Sequence, residues 1–183
     1  MDYSLLDDNE LVELTIKEDK EKYRYIVGRY QNKLFAYIFR LINHREEAAE
    51  IAQEVFLKAY KNLKGFNRKK KFSSWIYRIA HNEAVNWLKK NSRYKKRYLD
   101  DENNPLDIAD DADLEEMADQ DDEAKKLKEC LNRLPDKYKN VLILKYFEEK
   151  SYEEMSLILR KSKNAVGILV NRAKKKLSDI YEE

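Results

Sequence analysis

The side chains of this 183-residue chain that can do chemistry are grouped for binding rather than for bond making. Arg68, Lys69, Lys70 and Lys71 stand side by side, and Lys89, Lys90, Arg93, Lys95, Lys96 and Arg97 follow, with Trp75, Tyr77, Trp87 and Tyr94 interleaved. Cationic groups follow phosphates, and aromatic rings offer stacking surfaces worth roughly 1–3 kcal/mol per base, so the combination suits unpaired nucleic acid. An aromatic at helical spacing is also an ordinary core residue, and Trp75 and Trp87 fit that role too. A second cationic group, Arg172, Lys174, Lys175 and Lys176, suits both a helix C-terminus and a phosphate backbone. Groups that catalysis needs are not assembled. The two histidines, His44 and His81, are far apart, neither stands at metal-ligand spacing from Cys130, and there is no Gly-rich phosphate loop. The expectation is a protein that is not an enzyme and holds no metal or cofactor.

Helices must position these groups. With 39% charged residues, 3 Gly and 2 Pro, and apolar residues recurring at helical spacing, the chain is predicted to be all-α. Its net charge of +2 conceals strong segregation along the sequence. A first block, residues 1–98, places Leu34, Tyr37, Ile38, Leu41 and Ile42 on one helical face. After the break "NHRE", Ala48, Ile51, Ala52, Val55, Phe56 and Ala59 make another, so the two helices should pack as an antiparallel hairpin. A third helix begins near Phe72 with Ser73 or Ser74 as N-cap and buries Trp75, Ile76, Ile79 and Ala80. Gly65 lets the chain turn into the cationic loop ahead of it.

Residues 99–123 carry thirteen carboxylates and no Lys or Arg, and this acidic connector is expected to be a flexible linker. Residues 124–183 form a second helical block. Leu127, Leu131 and Leu134 make its first stripe, Pro135 opens the next helix, and Val141, Leu142, Leu144 and Tyr146 continue the core. From Ser151 to Leu177 two short amphipathic helices flank Arg160-Lys161-Ser162-Lys163, the pattern of a helix-turn-helix. The single Cys130 excludes an intramolecular disulfide and reads as a small buried residue. The acidic N-terminus has no signal-peptide character and no apolar span is long enough for a membrane, so a cytoplasmic protein is expected. On charge and periodicity alone, a stand-alone DNA-binding regulator and a helical adaptor both remain open.

Specific strings narrow this. "EEAAEIAQEVFLKAYKNLKGF", then "FSSWIYRIAHNEAVNWLKK", then an acidic linker, then "LNRLPDKYKNVLILKYFEEKSYEEMSLIL" together resemble the extracytoplasmic-function group of sigma-70 family bacterial RNA polymerase sigma factors, over nearly the whole chain. The resemblance implies a region-2-like domain that binds core RNA polymerase and recognises and melts the minus 10 element. It also implies a region-4-like domain that binds the minus 35 element. Promoter DNA, both duplex and unpaired non-template strand, and an anti-sigma factor are the further partners it suggests. On the matching positions it puts Glu50, Gln53 and Glu54 at the polymerase contact. Minus 10 recognition falls to the loop from Gly65 through Arg68, Lys69, Lys70 and Lys71, to Asn82 and Asn86 on the following helix, and to Trp75, Lys89 and Lys90. An asparagine amide can bond a base edge at two points. In the recognition helix Val166 is followed by Gly167, Ile168 and Leu169, which shifts base reading to Lys163 and Asn164 and leaves Asn171, Arg172, Lys174 and Lys175 for phosphates or flanking bases. Family members commonly carry Gly in the turn where this chain has Arg160. A left-handed turn there would cost on the order of 1 kcal/mol.

Overall fold

The computed structural model describes residue 3, residues 6–99 and residues 122–183, with side chains omitted over 92–99. The linker over 100–121 and the side chains of Arg93, Tyr94, Lys95, Lys96 and Arg97 therefore lie outside the described residues. Among the described residues there are helices and no strands.

α1 (Asp8–Lys17) starts at a capping box in which Asp7 accepts from the Glu10 amide and Glu10 accepts from the Asp7 amide. It is tied to α2 (Tyr23–Ile42) by Arg29, which reaches Asp8 at 2.6 Å, and by the Tyr30 hydroxyl, which donates to the same carboxylate. The predicted face of α2, Leu34, Tyr37, Ile38, Leu41 and Ile42, is buried throughout. α2 stops because Asn43 takes a left-handed conformation at φ 54°, which asparagine tolerates better than most residues. His44 then caps α3 (Arg45–Asn62). α3 packs on α2 as the expected hairpin and buries Ala48, Ile51, Ala52, Val55 and Ala59.

A 3-10 turn, Leu63–Gly65, leads into the cationic loop. Gly65 does not use its left-handed freedom, since no glycine among the described residues has positive φ. α4 (Phe72–Leu99) starts where expected but without the expected cap. Lys71 supplies the first helical carbonyl, to the Trp75 amide at 3.3 Å, so Ser73 and Ser74 lie inside the first turn and neither is the cap. The cause is Phe72, which is buried against Tyr30, Phe66 and Trp75 and draws the helix start into the core.

The second block comprises α5 (Asp122–Arg133), α6 (Asp136–Leu142), a π-helical turn Ile143–Phe147, α7 (Tyr152–Leu159) and α8 (Lys163–Glu182). α5 begins at Asp122, so the last acidic residues assigned to the linker are helical. Cys130 is buried, as its type suggested, but Leu127 and Tyr146 face solvent rather than the core. For Tyr146 the reason is the π-helical turn, whose wider winding rotates it off the face that carries Val141, Leu142 and Leu144. α7 starts at a Ser151–Glu154 capping box and ends at Arg160 in the left-handed region, φ 52° and ψ 45°. The strained turn is thus adopted without glycine. Ser162 then caps α8 by accepting from the Ala165 amide. A β-carbon at Gly167 would stand 3.6 Å from the Tyr152 ring, an ordinary van der Waals contact, so the approach of α8 to α7 does not require glycine there.

The two blocks share one core. α7 lies along α4, and α6 and the π-helical turn meet α2. The Tyr37 hydroxyl donates to Asn140 Oδ1 at 2.9 Å, and Asn140 Nδ2 lies 2.9 Å from His81 Nδ1. Glu148 accepts from the Tyr77 hydroxyl at 2.5 Å and pairs with Arg40 at 3.1 Å. Lys71 pairs with Glu154 at 3.1 Å, and the Lys150 ammonium sits 4.2 Å from the centroid of the Tyr77 ring. Removal from solvent, with a smaller contribution from Lys89, holds His81 down at about 4, so its ring is neutral near pH 7 and Nδ1 can accept.

Candidate nucleic-acid interface

The loop from Asn67 to Lys71 is held in place rather than left loose. Asn67 Oδ1 accepts from the Lys69 amide, Asn9 Nδ2 donates to the Arg68 carbonyl at 3.2 Å, and Arg68 pairs with Glu13 at 3.1 Å. Its cations Arg68, Lys69, Lys70 and Lys71 all face solvent. Behind them a cavity of about 130 Å³ opens between loop and helix. Phe66 and Trp75, with ring centroids 5.2 Å apart, supply aromatic surface. Gly65, Asn67, Lys70, Lys71, Ser74 and Arg78 complete the wall on this side, and Leu157 of α7 closes the other. Half-buried Trp75 is therefore both a packing residue and part of the cavity.

The other predicted aromatics separate from this site. Tyr77 is 1% exposed and spends its hydroxyl on Glu148, so it offers no stacking face. Trp87 donates its indole N–H to Glu47 of α3 at 2.8 Å. Asn82 and Asn86 are exposed on successive turns of α4, and Lys89 and Lys90 continue outward, but none of these four lines the cavity. Asn67, Ser74 and Arg78 were not singled out from the sequence. The i+4 spacing of Ser74 and Arg78 around Trp75 was the available signal.

Glu50, Gln53 and Glu54 stand exposed on the outer face of α3, opposite buried Ile51 and Val55. Glu54 pairs with Lys58 at 3.3 Å, and Lys58 also reaches Glu83 at 2.6 Å. Beside them Leu57 is 57% exposed, an apolar group next to a carboxylate face. Its position out of phase with Val55 and Ala59 was the signal for it.

On α8, Lys163, Asn164, Asn171, Arg172, Lys174 and Lys175 are all exposed, and Lys163 is paired with Glu153 of α7. Asn164, Asn171, Arg172 and Lys175 leave the helix on the face away from buried Val166, Val170 and Ala173, and Lys163 and Lys174 flank that buried face. Ile168, 52% exposed, stands among them as an apolar group able to meet a thymine methyl.

Comparison with known proteins agrees with this layout. Residues 26–94 match the family model for Sigma-70 region 2, and residues 124–177 match that for Sigma-70, region 4. The chain is 31% identical over 169 residues to the ECF RNA polymerase sigma factor SigW of Bacillus subtilis, covering 88% of this chain and 89% of that protein. It is 30% identical over 176 residues to the RNA polymerase sigma-H factor of Pseudomonas aeruginosa, covering 91% and 90%. In fold it is similar to CnrH, solved in complex with the cytosolic domain of CnrY (TM-score 0.70, 18% identity, covering 96% of this chain and 97% of that one). It is also similar to the sigma factor RpoE solved with the anti-sigma factor NepR from Bartonella quintana (TM-score 0.68, 18% identity, covering 88% and 98%).

Proposed function

Because the chain belongs to the extracytoplasmic-function group of sigma-70 family sigma factors, which direct promoter-specific transcription initiation by RNA polymerase and are not enzymes, we propose how its own surfaces divide that work. Residues 1–98 hold core polymerase and the minus 10 element, residues 124–183 hold the minus 35 element, and residues 99–123 connect them. The α3 face of Glu50, Gln53, Glu54 and Leu57 binds core polymerase. The cationic loop and the cavity behind it receive an unpaired base of the non-template strand. Stacking on Phe66 and Trp75 and cation contacts from Lys70 and Lys71 offset the few kcal/mol that extruding a base costs. Asn82, Asn86, Lys89 and Lys90 carry the adjoining strand along α4. Lys163 and Asn164 read base edges of the minus 35 duplex, while Asn171, Arg172, Lys174 and Lys175 hold phosphates.

The observation that carries this division is the cavity, because an aromatic wall inside a cationic rim is what a base on a phosphate backbone requires. α7 lies against α4 in this structure and Leu157 closes the cavity, whereas promoter elements two helical turns apart are separated by roughly 70 Å. Promoter engagement therefore includes withdrawal of α7 from α4, which takes Leu157 away and opens the cavity to the strand. An anti-sigma factor that holds the blocks together is a further candidate partner, and the place of action is the cytoplasm.

Purified protein plus core polymerase should start transcription from a promoter that neither uses alone. Glu50→Lys with Glu54→Lys should lower affinity for core polymerase at least tenfold with the helical circular dichroism unchanged. Unaltered affinity would move the polymerase contact elsewhere.

A further inference from the structure

The cavity contains one group whose chemistry is unused. Ser74 is 2% exposed, lines the cavity, and its Oγ has no hydrogen-bond partner. A buried hydroxyl without a partner is disfavoured, and when such a group persists at a cavity wall a ligand atom is a natural partner. The other polar groups there are biased in one direction. Lys70, Lys71 and Arg78 only donate, and the Asn67 amide oxygen already accepts from the Lys69 backbone while its N–H groups add donors.

We propose that Ser74 reads the edge of the base captured in this cavity and sets which base is accepted there. The proposal rests on the base-capture function assigned to the cavity above. The surround is rich in donors, so the Ser74 hydroxyl acts as a further donor and the site calls for acceptors. Cytosine, guanine and thymine each bring at least one carbonyl oxygen with two lone pairs. Adenine offers only ring nitrogens, each with one lone pair and those on its open edges beside an amine that donates, so it fits worst. Arg78, one turn further along α4, is placed to bond the same edge or the adjoining phosphate.

The test uses the holoenzyme formed from the full chain and core polymerase, and promoters carrying each of the four bases, or an abasic site, at each non-template position of the minus 10 element. Open-complex formation is read by permanganate reactivity. With wild type, one position should be sensitive to base removal and should show adenine as the poorest base, by about tenfold. Ser74→Ala should reduce that preference to about threefold or less at that position alone and leave preferences at the other positions intact. The variant should melt at or above the wild-type temperature, because it removes an unpartnered buried hydroxyl, which separates base reading from a folding role. If base removal matters at one position but Ser74→Ala keeps the wild-type preference there, Ser74 is not the reader. If base removal is tolerated at every position, capture in the cavity is itself wrong and the role of Ser74 goes with it.

Discussion

Replacing Glu148 by Ala should release region 4 from region 2. The carboxylate is 7% exposed on its side chain and accepts from Tyr77 and Arg40, both on the other block. A hydrogen bond to a charged group contributes about 1.5–3 kcal/mol. Arg40 is 40% exposed, so its ion pair contributes under about 1 kcal/mol. Because Tyr77 is buried, its hydroxyl is left without a partner once the blocks stay closed on the truncated side chain. The contact should weaken by about 2–4 kcal/mol, or about 30- to 1000-fold in the ratio of open to closed protein. Opening can be followed by energy transfer between dyes on cysteines placed at exposed Gln31 and Asn171 in a Cys130→Ser background, titrated with urea, with tryptophan fluorescence reporting unfolding separately. The opening free energy should fall by the stated amount, and a cycle with Tyr77→Phe should show coupling of about 1 kcal/mol or more. An opening curve that does not move, or shifts together with global unfolding, would refute the assignment of Glu148 as a latch between blocks.

Stability should fall as pH drops through the window set by His81. The unfolded ring takes up its proton near 6.5 and the folded one only near 4, so the contribution is full above about pH 6.5 and declines from there through 4, by at most about 3 kcal/mol. Urea midpoints of wild type and His81→Gln should therefore converge as pH is lowered over that range, and parallel curves would count against it. Arg160→Gly should raise the urea midpoint by an amount worth up to about 1 kcal/mol, since it relieves a left-handed side-chain clash that the extra freedom of unfolded glycine only partly offsets; a loss of stability would contradict this. On minus 35 duplexes, Lys175→Ala should lower affinity on matched and scrambled sites alike and flatten the slope of log affinity against log salt by about 0.9. Asn164→Ala should instead reduce discrimination between the sites by roughly 1–3 kcal/mol. Equal losses from both substitutions on both duplexes would overturn that division.

Much of the fold was legible because it is local. The stripes of α2 and α3 repeat at helical spacing, and the turn at Arg160 falls in the polar break between two such stripes. The cap of α4 was misread because serine is a good cap in isolation, whereas Phe72 is held by rings from α2 and from the preceding loop, which no local pattern reveals. The closure of the two blocks was not legible at all. Its central bonds join Asn140 to Tyr37 and to His81, separated by 103 and 59 positions, and each of these residues reads as an ordinary helix member on its own. Within the candidate site, charge runs disclosed the loop, and aromatic content disclosed Trp75. Tyr77 was credited to nucleic acid for the same reason, yet it serves the contact between blocks. Ser74 stayed hidden because a serine has no signature until burial removes its water.

Glu153 and Glu154 give α7 an unusual place in the ion balance of binding. Each neutralises a cation of a different DNA-facing surface, Lys163 on one side and Lys71 on the other. When a phosphate takes either lysine, the partner displaced is a carboxylate fixed to the protein rather than a chloride free to diffuse away. Glu153, on the same block as Lys163, then stands near the polyanion and keeps a metal cation beside it, which subtracts from the cations the DNA releases, whereas Glu154 leaves Lys71 when α7 withdraws. Lys163 should therefore contribute less to the salt dependence of minus 35 binding than its charge suggests, and Lys71 should contribute in full. α7 would act as a tethered counterion at the first contact and as a removable one at the second.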